Sequence, residues 1–120
     1  MNAKRKGVTA LLLGVLCCSP GPILLAATGD VSRPSKATTH QVEIRNFAFA
    51  PHTLTVPVGT RVVWTNRDDE PHLVTSAGAM FAPSKALDTS DSYAVTFAKP
   101  GTYAYYCSMH PMMVGTIIVQ

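Results

Sequence analysis

In this chain of 120 residues, the part that follows residue 27 contains no segment in which apolar residues recur with the period of a helix, and it has no internal repeat or low-complexity tract. The whole chain has only three cysteines, of which Cys17 and Cys18 lie in an N-terminal segment that we expect to be removed. Cys107 then remains alone, which excludes an internal disulfide. A single thiol in an oxidising compartment is a liability unless it is buried, paired with another chain or bound to a ligand.

Residues 1–27 have the composition of a secretory signal peptide. Basic residues at 4–6 precede an apolar run, and small residues come before the polar segment that begins at Thr28. The prolines and glycine at 20–22 interrupt the run too early for a clean membrane span of about 20 residues. An uncleaved membrane anchor is the alternative. We expect cleavage after Ala27, export to the periplasm and no stable membrane insertion of the mature chain.

The charge balance argues against a nucleic-acid partner. Removal of residues 1–27 lowers the number of basic residues from ten to seven, which equals the number of acidic residues. The formal net charge of +3 therefore belongs to the signal peptide. Because residues 28–120 contain no basic run, we expect the mature protein not to bind nucleic acid.

Residues 28–39 form a polar N-terminal lead, and residues 40–120 are predicted to form one domain of short strands separated by turns. In the first strand Val42 and Ile44 alternate with polar residues, as a half-buried strand requires. Similar runs occupy residues 53–56, 61–65, 72–75, 93–98, 102–107 and 114–119. Seven or so strands of this length predict an all-β fold, an antiparallel Greek-key β-sandwich. Phe81 and Leu87 are expected to anchor the long loop at 76–91 to the core.

Residues 106–113 carry the most informative chemistry. They place a thiolate, an imidazole and a thioether at Cys107, His110 and Met113, and a loop this short can direct all three side chains at one point. A second imidazole must come from elsewhere, and His72, at the start of another apolar run, is the natural donor. Soft sulfur donors with imidazole favour copper over hard cations, and two histidines, a cysteine and a weak axial methionine are typical of electron-transfer copper. The sequence therefore predicts one copper ion that cycles between Cu(I) and Cu(II).

Residues 41–120 also resemble a known family, the cupredoxins or type 1 blue-copper proteins of the plastocyanin/azurin family, and most closely the amicyanin and pseudoazurin-like group. The matching motifs are Asn46-Phe47 with Pro51, Val58-Gly59, Val62 with Trp64-Thr65-Asn66, Pro71-His72, Lys99-Pro100-Gly101-Thr102-Tyr103, Tyr106-Cys107, His110-Pro111, Met113 and Gly115-Thr116-Ile117-Ile118-Val119. The resemblance implies a cupredoxin domain with copper ligands at His72, Cys107, His110 and Met113. It also implies that Met113, not Met112, is the axial ligand.

One position departs from the family pattern. Relatives usually follow the first histidine with an asparagine whose side chain ties the two ligand-bearing loops together, and this chain has Leu73 there. The backbone N–H of Leu73 can still point toward the Cys107 sulfur, but the side-chain tether is lost. The reduction potential therefore does not follow from the resemblance.

These features predict a monomeric periplasmic one-electron carrier with no catalytic residues. Four protein ligands would leave no open coordination position, so we expect no enzyme activity. Redox partner proteins are expected to dock at an exposed apolar rim formed by Met109, Pro111 and Met112. The alternative function is a periplasmic copper carrier or copper-tolerance protein, which the extra methionines near the site would suit.

Other polar and sulfur-bearing residues have simpler interpretations. Met80, like Met109 and Met112, is expected at the surface and not as a ligand. His40 and His52 are interpreted as solvated side chains. The acidic run Asp68-Asp69-Glu70 is interpreted as a polar turn between strands.

Overall fold

The computed structural model describes Gly14, Gly21 and residues 36–120, so the predicted signal peptide and most of the polar lead lie outside the described residues. The chain divides into two units at Ser32 and Arg33, and the second unit, Arg33–Gln120, holds every strand of the described part. Among the described residues there is no helix of the length and apolar character needed to cross a membrane.

In the part that the structure describes, the second unit contains strands joined by loops and turns, and no helix. Its eight strands, β1 to β8 in chain order, are Thr39–Arg45, Ala48–Ala50, Thr53–Val56, Thr60–Asn66, Thr75–Ser76, Ser92–Phe97, Gly101–Cys107 and His110–Val119. They form two four-stranded sheets, with the orders β2-β1-β4-β6 and β3-β8-β7-β5. The predicted all-β, two-sheet fold is confirmed. The pairings β1–β4 and β3–β8 are parallel, a feature that alternation within single strands does not reveal.

The core follows from the alternation of side chains along the strands. Val42 and Ile44 of β1 are fully buried, as predicted. The strand β4, which pairs with β1 on one edge and with β6 on the other, is buried at every residue except Arg61. Trp64 of β4 is fully buried, and its ring packs edge-on against Tyr105 of β7 with the centroids 5.3 Å apart. Residues of both sheets therefore share one apolar core.

The loop between β5 and β6 is anchored as predicted. Leu87 is 1% exposed, and the half-buried Phe81 ring stacks on Trp64. The predicted strand at residues 72–75 is shorter in the structure, since β5 holds only Thr75 and Ser76. His72 instead forms an isolated bridge with Leu87, with two backbone hydrogen bonds of 2.8 and 3.1 Å between them.

Two tight hairpins complete the end of the domain where the candidate site lies. In the β7–β8 hairpin Cys107 pairs with His110, and a register irregularity lies between Tyr106 and Cys107. In the β1–β2 hairpin the two turn residues Asn46 and Phe47 both have positive φ, of 53° and 57°. Positive φ at both central residues is typical of two-residue hairpin turns that match the strand twist.

Candidate metal centre

Cys107 lies at the end of β7 and is fully buried. Its sulfur accepts a hydrogen bond from the backbone N–H of Leu73 at 3.3 Å, which is the contact that the sequence allowed despite the missing asparagine. The thiolate is the form of cysteine that binds metals, and the N–H of Leu73 is placed to donate to its sulfur. The same bond joins the segment that carries His72 to the strand that carries Cys107.

His72 is also fully buried, and its backbone is held on both sides by the bonds to Leu87. The two nitrogens of its ring face different groups. Nδ1 lies 3.9 Å from the Cys107 sulfur, and Nε2 lies 2.9 Å from the Asp68 carboxylate. Because the carboxylate can only accept, this contact favours the neutral tautomer that carries its proton on Nε2, and in that tautomer the Nδ1 lone pair is on the side of the Cys107 sulfur.

His110 is the first residue of β8 and is half-buried. Its Nδ1 atom lies 3.7 Å from the Cys107 sulfur. The three donor atoms of His72, Cys107 and His110 all lie within 4.8 Å of one another. The structure thus brings together three of the four residues that the sequence singled out, from two separate parts of the chain.

The fourth residue, Met113, lies near these three on the inward face of β8 and is 4% exposed. The other methionines of the described part behave differently. Met109, Met112 and Met80 are 51%, 93% and 55% exposed, so the predicted surface position of all three is confirmed. Burial therefore separates Met113 from Met112, its immediate neighbour.

The donor set fits copper in chemistry and spacing. Metal–nitrogen and metal–sulfur bonds of roughly 2.0 and 2.3 Å, as zinc forms, add to about 4.3 Å, so separations of 3.7 and 3.9 Å allow one ion to reach both atoms of each pair. One thiolate, two imidazoles and a neighbouring thioether favour copper over oxygen-seeking cations. That these four side chains bind the ion stays a prediction.

Asp68 is the residue of this region that the sequence interpretation missed. Its carboxylate accepts hydrogen bonds from the backbone N–H groups of Asn46 at 2.6 Å and Phe47 at 2.9 Å, in addition to the bond from His72. Burial acts to raise the pKa of Asp68, but the hydrogen bonds from Phe47, Asn46 and His72 outweigh it and hold that pKa below its ordinary value. A carboxylate four residues before a candidate histidine ligand was the available signal.

The side chain of Asn66 shapes the turn that presents Asp68. This fully buried amide donates to the carbonyl oxygens of Glu70 and Leu87 at 2.8 and 2.9 Å and accepts from the backbone N–H of Asp68 at 2.9 Å. The acidic run is therefore a turn, as predicted. One of its side chains is nevertheless turned toward the site, while Asp69 and Glu70 are exposed.

Phe47 covers the site from the β1–β2 hairpin. Its ring is edge-on to both histidine rings, with centroids 5.3 Å from His72 and 5.2 Å from His110. The side chain is 50% exposed, so it forms part of the surface above the two imidazoles. The sequence marked Asn46 and Phe47 as a motif without giving them a role, and asparagine at a left-handed turn position was the only local signal.

The remaining histidines of the described part lie outside this group. His52 is exposed, as predicted, with its Nδ1 atom 3.2 Å from the Thr53 hydroxyl. His40 is half-buried in β1 and so is less solvated than the sequence suggested. The group of three or more metal-ligating side chains found among the described residues is the one formed by His72, Cys107 and His110.

Comparison with known proteins gives consistent matches. Residues 7–119 match a family described as Cupredoxin-like domain. The chain is 31% identical over 83 residues to amicyanin from Paracoccus denitrificans, an alignment that covers 66% of this chain and 63% of that protein, or less than two thirds of its length. It is 30% identical over 125 residues to plastocyanin from Prochlorothrix hollandica, which covers 92% of each chain.

Solved structures with similar folds include copper proteins. A purple cupredoxin from Nitrosopumilus maritimus matches with a TM-score of 0.62 and 34% identity, over 67% of this chain and 98% of that one. An amicyanin variant in its reduced Cu(I) form matches with a TM-score of 0.64 and 30% identity, over 74% and 87%. A copper-containing nitrite reductase from Thermus scotoductus matches with a TM-score of 0.62 and 32% identity, over 70% of this chain but 22% of the enzyme.

Proposed function

Because this chain belongs to the cupredoxin-like family, we propose that it is a one-electron carrier whose copper ion is held by His72, Cys107, His110 and Met113. When bound, copper supplies the change between Cu(II) and Cu(I). The observation that supports the proposal most strongly is the convergence of His72 Nδ1, the Cys107 sulfur and His110 Nδ1 within 4.8 Å.

The protein holds these donors in place through its own backbone. The bridge to Leu87 holds His72, the N–H of Leu73 holds the sulfur of Cys107, and the hairpin register holds His110 opposite Cys107. Donors fixed by bonds that do not involve the metal have little freedom to rearrange when the charge at the site changes. Small rearrangement between two oxidation states is what a carrier needs.

We propose that partners dock at the β7–β8 turn. Met109, Pro111 and Met112 are exposed and flank the half-buried His110 in the sequence. The ring of Phe47, which is 50% exposed, contacts the His110 ring edge-on. Electron-transfer proteins meet through small, short-lived interfaces, and exposed apolar side chains beside a half-buried ligand suit such a contact. The partners are redox proteins, the carrier acts as a monomer, and nucleic acid is no part of its function.

We further propose that residues 1–27 are a cleaved signal peptide, that residues 28–39 are a polar lead to the domain at 40–120, and that the mature protein works in the periplasm. The basic and apolar order of residues 1–27 supports this. The full burial of Cys107 also suits an oxidising compartment, because it shields the thiol from solvent oxidants.

Copper delivery or copper tolerance is the second candidate function. The observation that favours it is the set of three exposed methionines, Met80, Met109 and Met112, whose thioethers suit Cu(I). Enzyme activity is not proposed, because the four side chains assigned to copper leave no open position for a substrate.

One experiment separates electron transfer from copper delivery. The copper-loaded protein is cycled repeatedly between ferricyanide and ascorbate in the presence of a soluble Cu(I) chelator, and bound copper is measured after each cycle. A carrier keeps its copper through many cycles. Loss of copper to the chelator in the first reduced phase would favour delivery and would contradict the proposed function.

A further inference from the structure

We propose that Asp68 is a positioning residue that fixes the ring of His72 and lowers the reduction potential of the copper site. The inference rests on the proposed function, because it concerns the ring of a proposed copper ligand. It is carried by the three hydrogen bonds that converge on one carboxylate, from His72, Asn46 and Phe47.

The bond to Asp68 fixes the orientation of the His72 imidazole. A neutral histidine has two tautomers, and the partner of one nitrogen decides which nitrogen keeps a free lone pair. The bond from His72 Nε2 to Asp68 selects the tautomer whose Nδ1 lone pair faces the Cys107 sulfur. His72 is fully buried and the Asp68 side chain is 10% exposed, so water competes little for this bond.

The negative charge of Asp68 also changes the donor strength of His72. A carboxylate that accepts a hydrogen bond from a ligating imidazole makes the other nitrogen a stronger electron donor. A stronger donor stabilises Cu(II) more than Cu(I), because the ion of higher charge gains more from added electron density. Asp68 therefore shifts the equilibrium toward the oxidised state and lowers the reduction potential.

Asp68 also connects His72 to the β1–β2 hairpin at the surface of the site. Both turn residues of the β1–β2 hairpin donate their backbone N–H groups to Asp68, at 2.6 and 2.9 Å. Left-handed backbone is unfavourable for a residue as bulky as Phe47, and these bonds stabilise it. With Leu73 in place of the family's asparagine, Asp68 supplies a different tie, which joins His72 to the hairpin that covers both imidazoles.

The chain offers a matched control. Asp69 is the next residue, carries the same charge and is exposed. Asp68→Asn and Asp69→Asn each remove one negative charge from the same turn. An amide at position 68 cannot accept all three bonds, because either orientation turns its NH2 group toward a donor.

The test compares the two variants in two measurements. In voltammetry of the copper-loaded protein, Asp68→Asn is expected to lower the ratio of Cu(II) to Cu(I) affinity by about tenfold, the low end of the effect of such partners on metal affinity. For one electron this is a rise of about 59 mV in potential. Asp69→Asn is expected to change the ratio less than about twofold, because an exposed charge is screened.

The second measurement uses the metal-free protein and nitrogen-resolved NMR. The wild type and Asp69→Asn are expected to show a slowly exchanging proton on His72 Nε2 and slow amide exchange at Asn46 and Phe47. Asp68→Asn is expected to lose slow exchange at one or more of these three groups, because one amide orientation removes the bond from Asn46 and the other removes those from Phe47 and His72. Fast exchange of the Nε2 proton in the wild type would overturn the positioning role even if Asp68→Asn fails to fold.

The outcomes separate this inference from the proposed function. A wild-type protein with no thiolate-to-copper absorption would overturn the proposed function and the tuning of the potential with it. A wild type that absorbs strongly, together with an Asp68→Asn potential equal to that of Asp69→Asn, would overturn the role of Asp68 alone.

Discussion

The ring of Tyr105 lies over Gly115, its partner in the β7–β8 register, so closely that a Cβ atom on Gly115 would stand within 3.0 Å of three atoms of the tyrosine side chain. The ring has no room to move aside, because it is 1% exposed and packs edge-on against Phe49 and Trp64. Tyr105 is two residues before Cys107, and Gly115 is two residues after Met113. This contact therefore fixes the hairpin that carries three of the four proposed ligands.

Gly115→Ala is expected to destabilise the metal-free protein by about 1–3 kcal/mol, as overpacking of a filled core does. Urea unfolding at neutral pH measures the effect. Gly78→Ala is the control, because the nearest atom to a Cβ there is on the exposed Met80 side chain, at 3.5 Å. Equal stability of the two variants would show that the Tyr105 ring moves aside at little cost in free energy.

Tyr105→Phe is expected to leave stability at neutral pH almost unchanged, because the buried hydroxyl lies near the Trp64 indole but makes no hydrogen bond of normal geometry among the described residues. Tyr103→Phe is the matched comparison. It removes a 2.7 Å bond from the Tyr103 hydroxyl to the carbonyl of Lys99 and is expected to cost about 1 kcal/mol. A larger loss for Tyr105→Phe than for Tyr103→Phe would contradict this account of the core.

The same tyrosine predicts a pH dependence. Burial raises the pKa of Tyr105 to about 12, while the unfolded chain has the ordinary value of about 10. Between these values the unfolded state loses a proton that the native state keeps, so this contribution to stability is complete below pH of about 10 and falls as pH rises. Urea unfolding from pH 9 to 12 should show a shallower decline for Tyr105→Phe than for the wild type, and parallel declines would be evidence against the raised pKa.

Met113→Gln is expected to lower the reduction potential, because an oxygen donor stabilises Cu(II) more than a weak thioether does. Met112→Gln should change the potential much less, since Met112 is 93% exposed and Met113 is 4% exposed. Voltammetry of the two variants decides between the neighbouring methionines. The reverse order of shifts would mean that Met112 is the axial ligand.

Met112→Lys is expected to leave the copper spectrum nearly unchanged and to slow electron exchange several-fold, because it places a charge on the apolar rim beside His110. Self-exchange between reduced and oxidised copies, measured by NMR line broadening, needs no identified partner. Met80→Lys adds the same charge on the loop between β5 and β6, where Met80 is 55% exposed. Equal slowing by both variants would point to net charge and would remove the support for docking at the β7–β8 turn.

Much of the fold was predictable because its signals are local. The alternation of Val42 and Ile44 marks one buried face of a strand, and a proline close to a glycine, as at Pro100 and Gly101, marks a turn. The parallel pairings β1–β4 and β3–β8 were not predictable, because they depend on how distant strands are arranged. The bridge between His72 and Leu87 was missed for the same reason.

For the candidate site too, the residues that are close in sequence were predictable and the contacts between distant residues were not. Cys107, His110 and Met113 lie at fixed short spacing in one segment, so their grouping was readable from the sequence. The role of Asp68 was not, because its carboxylate meets backbone groups 21 and 22 residues away that carry no side-chain signal. Backbone donors are the same for every residue type except proline, and only folding shows where they point.

The central claim is that Cys107 binds copper as a thiolate together with His72 and His110, and an optical spectrum tests it most directly. We predict that one equivalent of Cu(II) added to the mature protein produces intense visible absorption from thiolate-to-copper charge transfer. A reductant should bleach this absorption reversibly, and Cys107→Ser should abolish it. A colourless wild-type complex, or colour that persists in Cys107→Ser, would contradict the account.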